Sequence, residues 1–181
     1  MKKEAMGVLK NRRSIRKYKT QQITKEELDT VLDLATYAPT AKGLQCPVTV
    51  SVQDKETVAL LSKLNREVLA GITGNPVNEI GDPYFGAPTI ILVFAPRTMG
   101  TYIEDGSAVM SQILLAAYAA GLGSCWINRE RQMFESEEGK ALMKKWGLSE
   151  DYVGIGGVSL GYADCEHPEP KARKDGYVIR V

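Results

Sequence analysis

Three arginines and one serine lie within five residues near the start of the chain: Arg12, Arg13, Ser14 and Arg16. A guanidinium group binds phosphate oxygens through two parallel hydrogen bonds, and a serine hydroxyl adds a compact donor. The grouping predicts a site for a phosphate-bearing ligand. Composition alone leaves two alternatives open. The segment also fits a solvated basic face, and eight lysines and arginines among the first 19 residues suggest a nucleic-acid-binding arm, although no aromatic residues are interleaved to stack on bases.

Motifs for self-contained catalysis are absent from the sequence. The glycine-containing runs 121–126 (GLGSCW) and 154–159 (GIGGVS) do not complete the GxGxxG fingerprint of a dinucleotide site. There is no GxxxxGK[ST] and no GxSxG, and a single histidine, His167, leaves few ways to build a Ser-His-Asp triad. If the chain is an enzyme, we expect its chemistry to belong to a bound cofactor and no side chain to be the catalyst.

The cysteines and the histidine do not have the spacing of a metal site. Cys46, Cys125 and Cys165 are far apart, form no CxxC pair, and are accompanied by one histidine in the whole chain. We therefore expect free thiols in a reducing, cytoplasmic compartment, with no metal bound. Cys125 is expected to be a buried core thiol, not a nucleophile, because no base is visible near it in sequence.

Length and composition indicate one globular domain spanning residues 1–181. Hydrophobic residues make up 44% of the chain and charged residues 25%, which is enough to build a core and argues against disorder. The formal net charge is +1, so no global field would attract nucleic acid or a membrane. No apolar run approaches the roughly 20 residues that span a bilayer, so we expect neither a membrane nor a nucleic-acid partner.

The order of the secondary-structure patterns favours an α+β fold, because long helices and strands alternate without a regular βαβ repeat. Residues 24–27 (TKEE) read as a capping box, followed by apolar residues at helical spacing up to Pro39. Asp54 is expected to cap a second helix. Further helices are predicted over about 104–120 and 136–146, and strands over 47–53, 89–95 and 152–161, with a short strand or turn at 124–127.

Two other segments carry expectations of their own. Residues 71–86 are rich in glycine, proline and asparagine and are predicted to be a long loop, in which Tyr84 and Phe85 line a substrate channel or anchor the loop. The tail from Lys171 to Val181 is basic and then β-like. Asp105 is expected to cap the long apolar helix.

Five segments, read in order, resemble the FMN-dependent nitroreductase family. Residues 12–18 (RRSIRKY) look like its N-terminal RRSxRxF/Y motif, and 38–45 (APTAKGLQ) are similar to its APSxxNxQ turn. Residues 86–91 (GAPTII) resemble its AP-plus-strand segment, and 105–127 resemble its long helix ending in GLGSCWI. Residues 157–161 and 170–173 (PKAR) are similar to its closing strand and basic tail. The matches cover nearly the whole chain.

This resemblance implies a nitroreductase-like fold, a central, mostly antiparallel sheet flanked by helices, in a homodimer with exchanged C-terminal tails and FMN at the subunit interface. It implies that the arginine segment and the tail hold the FMN phosphate and ribityl chain, that a turn reaches the flavin from the partner subunit, and that a second group faces the ring edge. The implied cofactor-binding residues are Arg12, Arg13, Ser14, Arg16, Pro39, Thr40, Ala41, Asn65, Trp126, Ile127, Asn128, Lys171 and Arg173.

Three departures from the family pattern bear on substrate shape and redox potential. Gly43 stands where the family often has asparagine, Cys46 precedes Pro47 where the family has Gln-Pro-Trp, and Asn128 stands where glycine or an acidic residue is common. FMN binding itself is less affected by these changes.

The activity that the resemblance implies is hydride transfer from NADH or NADPH through flavin N5 to a nitroaromatic, quinone or similar small-molecule acceptor by a ping-pong mechanism. Two alternatives stay open at this point. One is an atypical member of the same family, reductive dehalogenase-like or flavin-fragmenting, and the other is a non-enzymatic flavin-binding redox protein.

Overall fold

Local side chains define where three of the helices begin. Thr24 Oγ1 accepts from the Glu27 amide at 3.2 Å while the Glu27 carboxylate accepts from the Thr24 amide at 2.8 Å, which completes the predicted capping box. The predicted cap Asp54 accepts from the Thr57 amide at 2.9 Å. Ser136 caps a third helix by accepting from the Gly139 amide at 3.1 Å.

The computed structural model describes residues 5–181, and helices and strands alternate along them. The helices are α1 (Ala5–Asn11), α2 (Lys25–Ala35), α3 (Lys55–Thr73), α4 (Tyr102–Ala119), α5 (Glu130–Met133) and α6 (Glu137–Lys145). The strands are β1 (Val48–Val52), β2 (Thr89–Pro96), β3 (Gly123–Ile127) and β4 (Tyr152–Gly161).

The four strands form one sheet in the order β1-β2-β4-β3, and every neighbouring pair is antiparallel. Val158 of β4 pairs with Ile91 of β2 on one side and with Trp126 of β3 on the other. The α+β fold with an antiparallel sheet, expected from the sequence, is confirmed. β3 is an edge strand of this sheet, which leaves one side of it free for other segments.

Both faces of the sheet are covered, because alternate residues of β2 enter different cores. Ile91 and Val93 pack with α2 and α4 on one face, whereas Ile90, Leu92 and Phe94 pack with α3, α5 and α6 on the other. All five are fully buried, as the continuous apolar run of this strand predicted.

Several predicted boundaries differ from the structure. α3 continues to Thr73 and is ended by Gly74 in the left-handed conformation, so the long loop begins later than residue 71. The short helices α1 and α5 were not predicted, since neither is long enough to show a helical period.

The β-like interpretation of the tail is wrong for this chain: residues 166–181 contain no strand and are exposed along their whole length. A strand needs a neighbouring strand to satisfy its backbone hydrogen bonds, and none of the described segments pairs with residues 166–181. Exchange of the tail between subunits stays a prediction. Among residues 5–181, no helix combines the length and apolar character needed to cross a membrane.

Candidate functional site

The arginine segment lies along the free side of β3. Ser14 forms a parallel bridge with Ser124, and the Ile15 amide donates to the Ser124 carbonyl at 3.0 Å. Farther along, Tyr18 is buried and its hydroxyl donates to the Ile15 carbonyl at 2.7 Å. These contacts fix an extended backbone from Ser14 to Tyr18 against the sheet.

The alternation of an extended segment decides which of its side chains face the same way. Ile15 points into the protein and packs so tightly on Gly123 that a Cβ there would lie 3.0 Å from it. Arg13 is turned back towards α1, where its Nη1 donates to the carbonyls of Lys10 and Arg12, both at 2.8 Å. Arg12, Ser14 and Arg16 alternate with these two.

The side chains of this alternate set have free hydrogen-bonding capacity for an anion. Arg12 Nη1 is buried and has no hydrogen-bond partner among residues 5–181. Arg16 is exposed, and its guanidinium carbon lies 5.8 Å from the centre of the Phe85 ring. A buried guanidinium nitrogen without a partner is costly unless a ligand meets it, so the donor set fits a phosphate.

Asn65 and Asn128 meet at the other end of β3. Asn65 is 1% exposed, and its Nδ2 donates to the Asn128 carbonyl at 2.9 Å. Its Oδ1 is buried without a partner in the described part of the chain. The half-buried Trp126 donates through Nε1 to Asn128 Oδ1 at 3.0 Å. From Ser124 to Asn128 the strand covers about 13 Å at the usual rise per residue, a span that a ribityl phosphate and a ring system can bridge.

A buried acid, Glu130, lies next to this pair and was not singled out in the sequence. It is 1% exposed, and Tyr84, which is fully buried, donates through its hydroxyl to Glu130 Oε1 at 3.1 Å. Burial raises the pKa of Glu130 to about 8, although the Tyr84 hydroxyl and nearby backbone N–H groups act in the opposite direction. Burial likewise raises the pKa of Tyr84 well above its ordinary value.

This contact corrects the channel interpretation of Tyr84, whose side chain anchors its loop in the core. Asp82 fixes the same loop by accepting from the Tyr84 amide at 3.1 Å and from Ser62 Oγ at 2.6 Å. Only Phe85 of the two aromatic residues stays partly exposed, and it lies under Arg16. The sequence carries no local signal for the buried acid, because Glu130 stands between Arg129 and Arg131 in a segment that is polar throughout.

The turn containing Pro39, Thr40 and Ala41 is tied to the beginning of α4. Asp105 accepts from the Ala41 amide through Oδ1 at 3.0 Å and from Thr101 Oγ1 through Oδ2 at 3.1 Å. Asp105 lies inside the helix, one turn beyond the N-cap residue Thr101, so the predicted capping role is wrong and the side chain anchors the turn instead.

The same turn is strained and stands apart from the arginine segment. Lys42 and Gln45 both have positive φ, at 54° and 52°, which non-glycine residues seldom adopt away from functional sites. Arg13 and Tyr118, near the end of α4, line one cleft. Thirteen helical residues separate Asp105 from Tyr118, which is about 20 Å. Within one chain, the structure therefore does not bring Pro39–Ala41 to the arginine segment.

A model of the family described as "Nitroreductase family" matches residues 9–162, more than four fifths of the chain. The chain belongs to this family. Its members are oxidoreductases, and the sequence resemblance is thereby confirmed.

Relatives of this nitroreductase-family protein agree in sequence and in fold. A protein of Archaeoglobus fulgidus named "Putative NADH dehydrogenase/NAD(P)H nitroreductase" is 32% identical, with 96% of this chain and 90% of the relative covered. A Bacteroides fragilis nitroreductase crystallised with bound FMN has a TM-score of 0.89 at 25% identity, covering 99% of both chains. A Desulfitobacterium hafniense nitroreductase with bound FMN has a TM-score of 0.88 at 26% identity, covering all of both chains.

The basic tail passes close to the arginine segment of the nitroreductase-family chain and then leaves the body of the protein. His167 Nε2 hydrogen-bonds to the Asn11 carbonyl at 2.7 Å, directly before Arg12. Beyond this contact, Lys171 and Arg173 are exposed, and Arg173 donates through Nη2 to the Lys171 carbonyl at 2.7 Å. Among residues 5–181, neither Lys171 nor Arg173 forms a hydrogen bond or an ion pair with Arg12.

The remaining expectations concern thiols and metals. Cys125 is buried at 3% exposure, as predicted, and Sγ donates weakly to the Trp126 carbonyl at 3.6 Å. Cys46 and Cys165 are free thiols as well. In the part of the chain that the structure describes, no group of three or more histidine, cysteine or acidic side chains is arranged to hold a metal ion.

Proposed function

We propose that this nitroreductase-family protein is an FMN-dependent oxidoreductase that passes hydride from NADH or NADPH to a nitroaromatic, quinone or similar acceptor in a ping-pong reaction. The observation that carries the proposal is the arrangement along β3. Arg12, with a buried unpartnered Nη1, and Ser14 lie at one end of the strand, and the Asn65–Asn128 pair lies at the other. FMN-bound relatives with the same fold support the choice of cofactor.

In this proposal the arginine segment holds the phosphate. Arg12 and Arg16 supply guanidinium donors, and Ser14 supplies a hydroxyl from the same side of the segment. Arg13 contributes positive charge and has a buried Nε without a partner among residues 5–181, but its Nη1 is directed to the carbonyls of Lys10 and Arg12, so we assign it a supporting role. Lys171 and Arg173 close on the phosphate when the tail folds over the site. Their exposure leaves both side chains free to do so.

In the same proposal, residues 126–128 and Asn65 bind the ring edge of the cofactor. Asn65 Oδ1 offers a buried acceptor, and the backbone N–H groups after Ile127 offer donors to the edge of the ring. When bound there, FMN would supply the redox chemistry of hydride transfer through N5. The chain orients the reactants and excludes water, and solvent provides the protons, so no side chain is assigned as a catalytic acid or base.

The site is proposed to be shared between two subunits of a homodimer. The turn Pro39–Ala41 lies about 20 Å along α4 from the arginine segment, which fits a turn that approaches the cofactor of the neighbouring subunit. Its exposed apolar neighbours, Tyr37 at 73% and Leu44 at 53% exposure, fit a covered surface in a dimer. We place the dimer in the cytoplasm, in keeping with three free cysteines.

Steady-state kinetics of the FMN-loaded protein test this function. We expect parallel double-reciprocal lines for NADH or NADPH against a nitroaromatic or a quinone, with hydroxylamine or hydroquinone as product. Reduction of a halophenol with halide release, and no reduction of nitro compounds, would favour the dehalogenase-like alternative. Bound FMN without any turnover of NADH or NADPH would favour a non-enzymatic redox protein.

A further inference from the structure

Glu130 occupies a space that two glycines of β4 create. A Cβ on Gly157 would lie 2.4 Å from Glu130 Oε1, and a Cβ on Gly154 would lie 2.8 Å from the backbone carbonyl of Glu130. Real Cβ atoms do not approach so closely, so both positions accept only glycine while Glu130 stays in place. The strand is therefore shaped around a buried carboxyl group at the start of α5.

The carboxyl group and the proposed ring edge belong to the same turn. Glu130 begins α5 two residues after Asn128, and it accepts from the Tyr84 hydroxyl through Oε1 at 3.1 Å. Asn65 donates to the Asn128 carbonyl at 2.9 Å. Between Asn128 and Glu130, Arg129 has φ of 92°, a conformation that a side chain adopts only where its surroundings impose it.

Burial, and not a neighbouring charge, disfavours a carboxylate at Glu130. Burial is the main cause that raises the pKa of Glu130 to about 8, and Arg129 is the positive charge that opposes it. The elements packed on it supply few other charges: α3 gives the neutral amide of Asn65, β4 gives the backbone N–H of Gly157, and the loop gives Tyr84, with Asp82 behind it. Glu130 Oε2 has no partner among residues 5–181.

We propose that Glu130, in its neutral carboxylic-acid form, is a positioning residue that fixes the Asn128–Arg129 turn at the flavin edge by filling the space beside Gly154 and Gly157 and accepting from Tyr84. This inference rests on the proposed function, because it assigns the turn to the flavin. Loss of the proton leaves a buried carboxylate whose Oε2 has no donor among residues 5–181. This favours a conformer in which Glu130 moves towards solvent and the turn moves with it. Binding of FMN is therefore linked to the protonation of Glu130.

The test is the dissociation constant of FMN, followed by flavin fluorescence between pH 6.5 and 9, for the full chain and for Glu130→Gln. If only the protein with neutral Glu130 binds FMN, the wild-type dissociation constant rises about tenfold from pH 7 to pH 9. The midpoint of the rise lies at about pH 8. Glu130→Gln, which is neutral at every pH, keeps the low-pH affinity and loses this rise. Glu135→Gln, an exposed change five residues along the chain, behaves as the wild type.

Each other outcome has a definite meaning. A wild-type constant that does not change with pH overturns the inference without any variant, and so does a rise that Glu130→Gln retains. If Glu130→Gln does not fold, Tyr84→Phe keeps the buried ring but removes the hydrogen bond to Glu130 Oε1. A wild-type affinity in that variant at pH 7 overturns the inference. Failure of the wild type to bind FMN at any pH overturns the proposed function, and the inference with it.

Discussion

The carboxylate of Asp105 accepts a hydrogen bond from the backbone amide of Ala41 at 3.0 Å, across 64 residues of sequence. This single bond fastens the strained turn after Pro39 to the first turn of α4. Since the turn is proposed to approach the cofactor of the other subunit, Asp105 connects the interior of one subunit to the site of its partner.

Replacing Asp105 by alanine is expected to lower the free energy of unfolding by about 1.5–3 kcal/mol, because it leaves the Ala41 amide without its charged acceptor. It should also weaken FMN binding, since the turn is released. Chemical denaturation and an FMN titration measure the two effects. Glu104→Ala, at an exposed position next to it, serves as the control. Equal behaviour of the two variants would refute an anchoring role for Asp105.

The alternation of the arginine segment makes Arg12 and Arg13 distinguishable. Arg12→Ala is expected to weaken FMN binding about 10- to 100-fold, the usual range for a lost hydrogen bond to a charged group. It should leave the affinity for riboflavin, which has no phosphate, nearly unchanged. Arg13→Ala removes two hydrogen bonds, to the carbonyls of Lys10 and Arg12, and is expected to reduce stability more than phosphate recognition. A larger FMN-specific loss for Arg13→Ala than for Arg12→Ala would contradict the assignment.

Stability of the FMN-free protein is expected to depend on pH through Glu130. The pKa of Glu130 is raised from 4.5 to about 8 in the folded chain, so between these values the native state holds a proton that the unfolded state has released. The free energy of unfolding therefore falls as pH rises through this window, with a slope approaching about 1.4 kcal/mol per pH unit. Urea unfolding at a series of pH values measures it.

Glu130→Gln should remove this contribution, so the variant gains stability relative to the wild type as pH increases from 5 to 8. Glu135→Gln should leave the slope in place. An identical pH dependence in the wild type and Glu130→Gln would show that the native carboxyl group ionises in its ordinary range.

Two glycines test the packing around the same group. Gly157→Ala brings a methyl group within 2.4 Å of Glu130 Oε1 and is expected to destabilise the protein by about 1–3 kcal/mol. Gly71→Ala, in α3 with nothing within 4 Å of the new Cβ, should raise stability by roughly 0.5–1 kcal/mol. Thermal unfolding compares them, and a neutral Gly157→Ala would mean that Glu130 moves aside easily.

Local chemistry explains what could be predicted from the sequence. The Thr24 capping box, the Asp54 cap and the doubly buried strand β2 all depend on neighbours a few residues away, and all three were recovered. The family resemblance added the antiparallel sheet and the ordered motifs of the proposed site.

Contacts between distant segments explain what could not be predicted. The inward direction of Tyr84 and the burial of Glu130 depend on partners elsewhere in the chain. Asp105 was taken for a cap because its spacing fits one, but its partner, Ala41, lies in another element. The hydrophobic periodicity of a sequence indicates which face of a helix or strand is buried, but it does not indicate which distant polar group packs against that face.

The central claim is that this chain binds FMN and exchanges hydride with a nicotinamide. The most direct measurement is the visible spectrum of the FMN-loaded protein before and after NADH or NADPH is added without oxygen. We predict a bound-flavin spectrum that bleaches on addition and returns when a nitroaromatic or quinone is supplied. A protein that binds no FMN, or a bound flavin that neither NADH nor NADPH can bleach, would contradict the account.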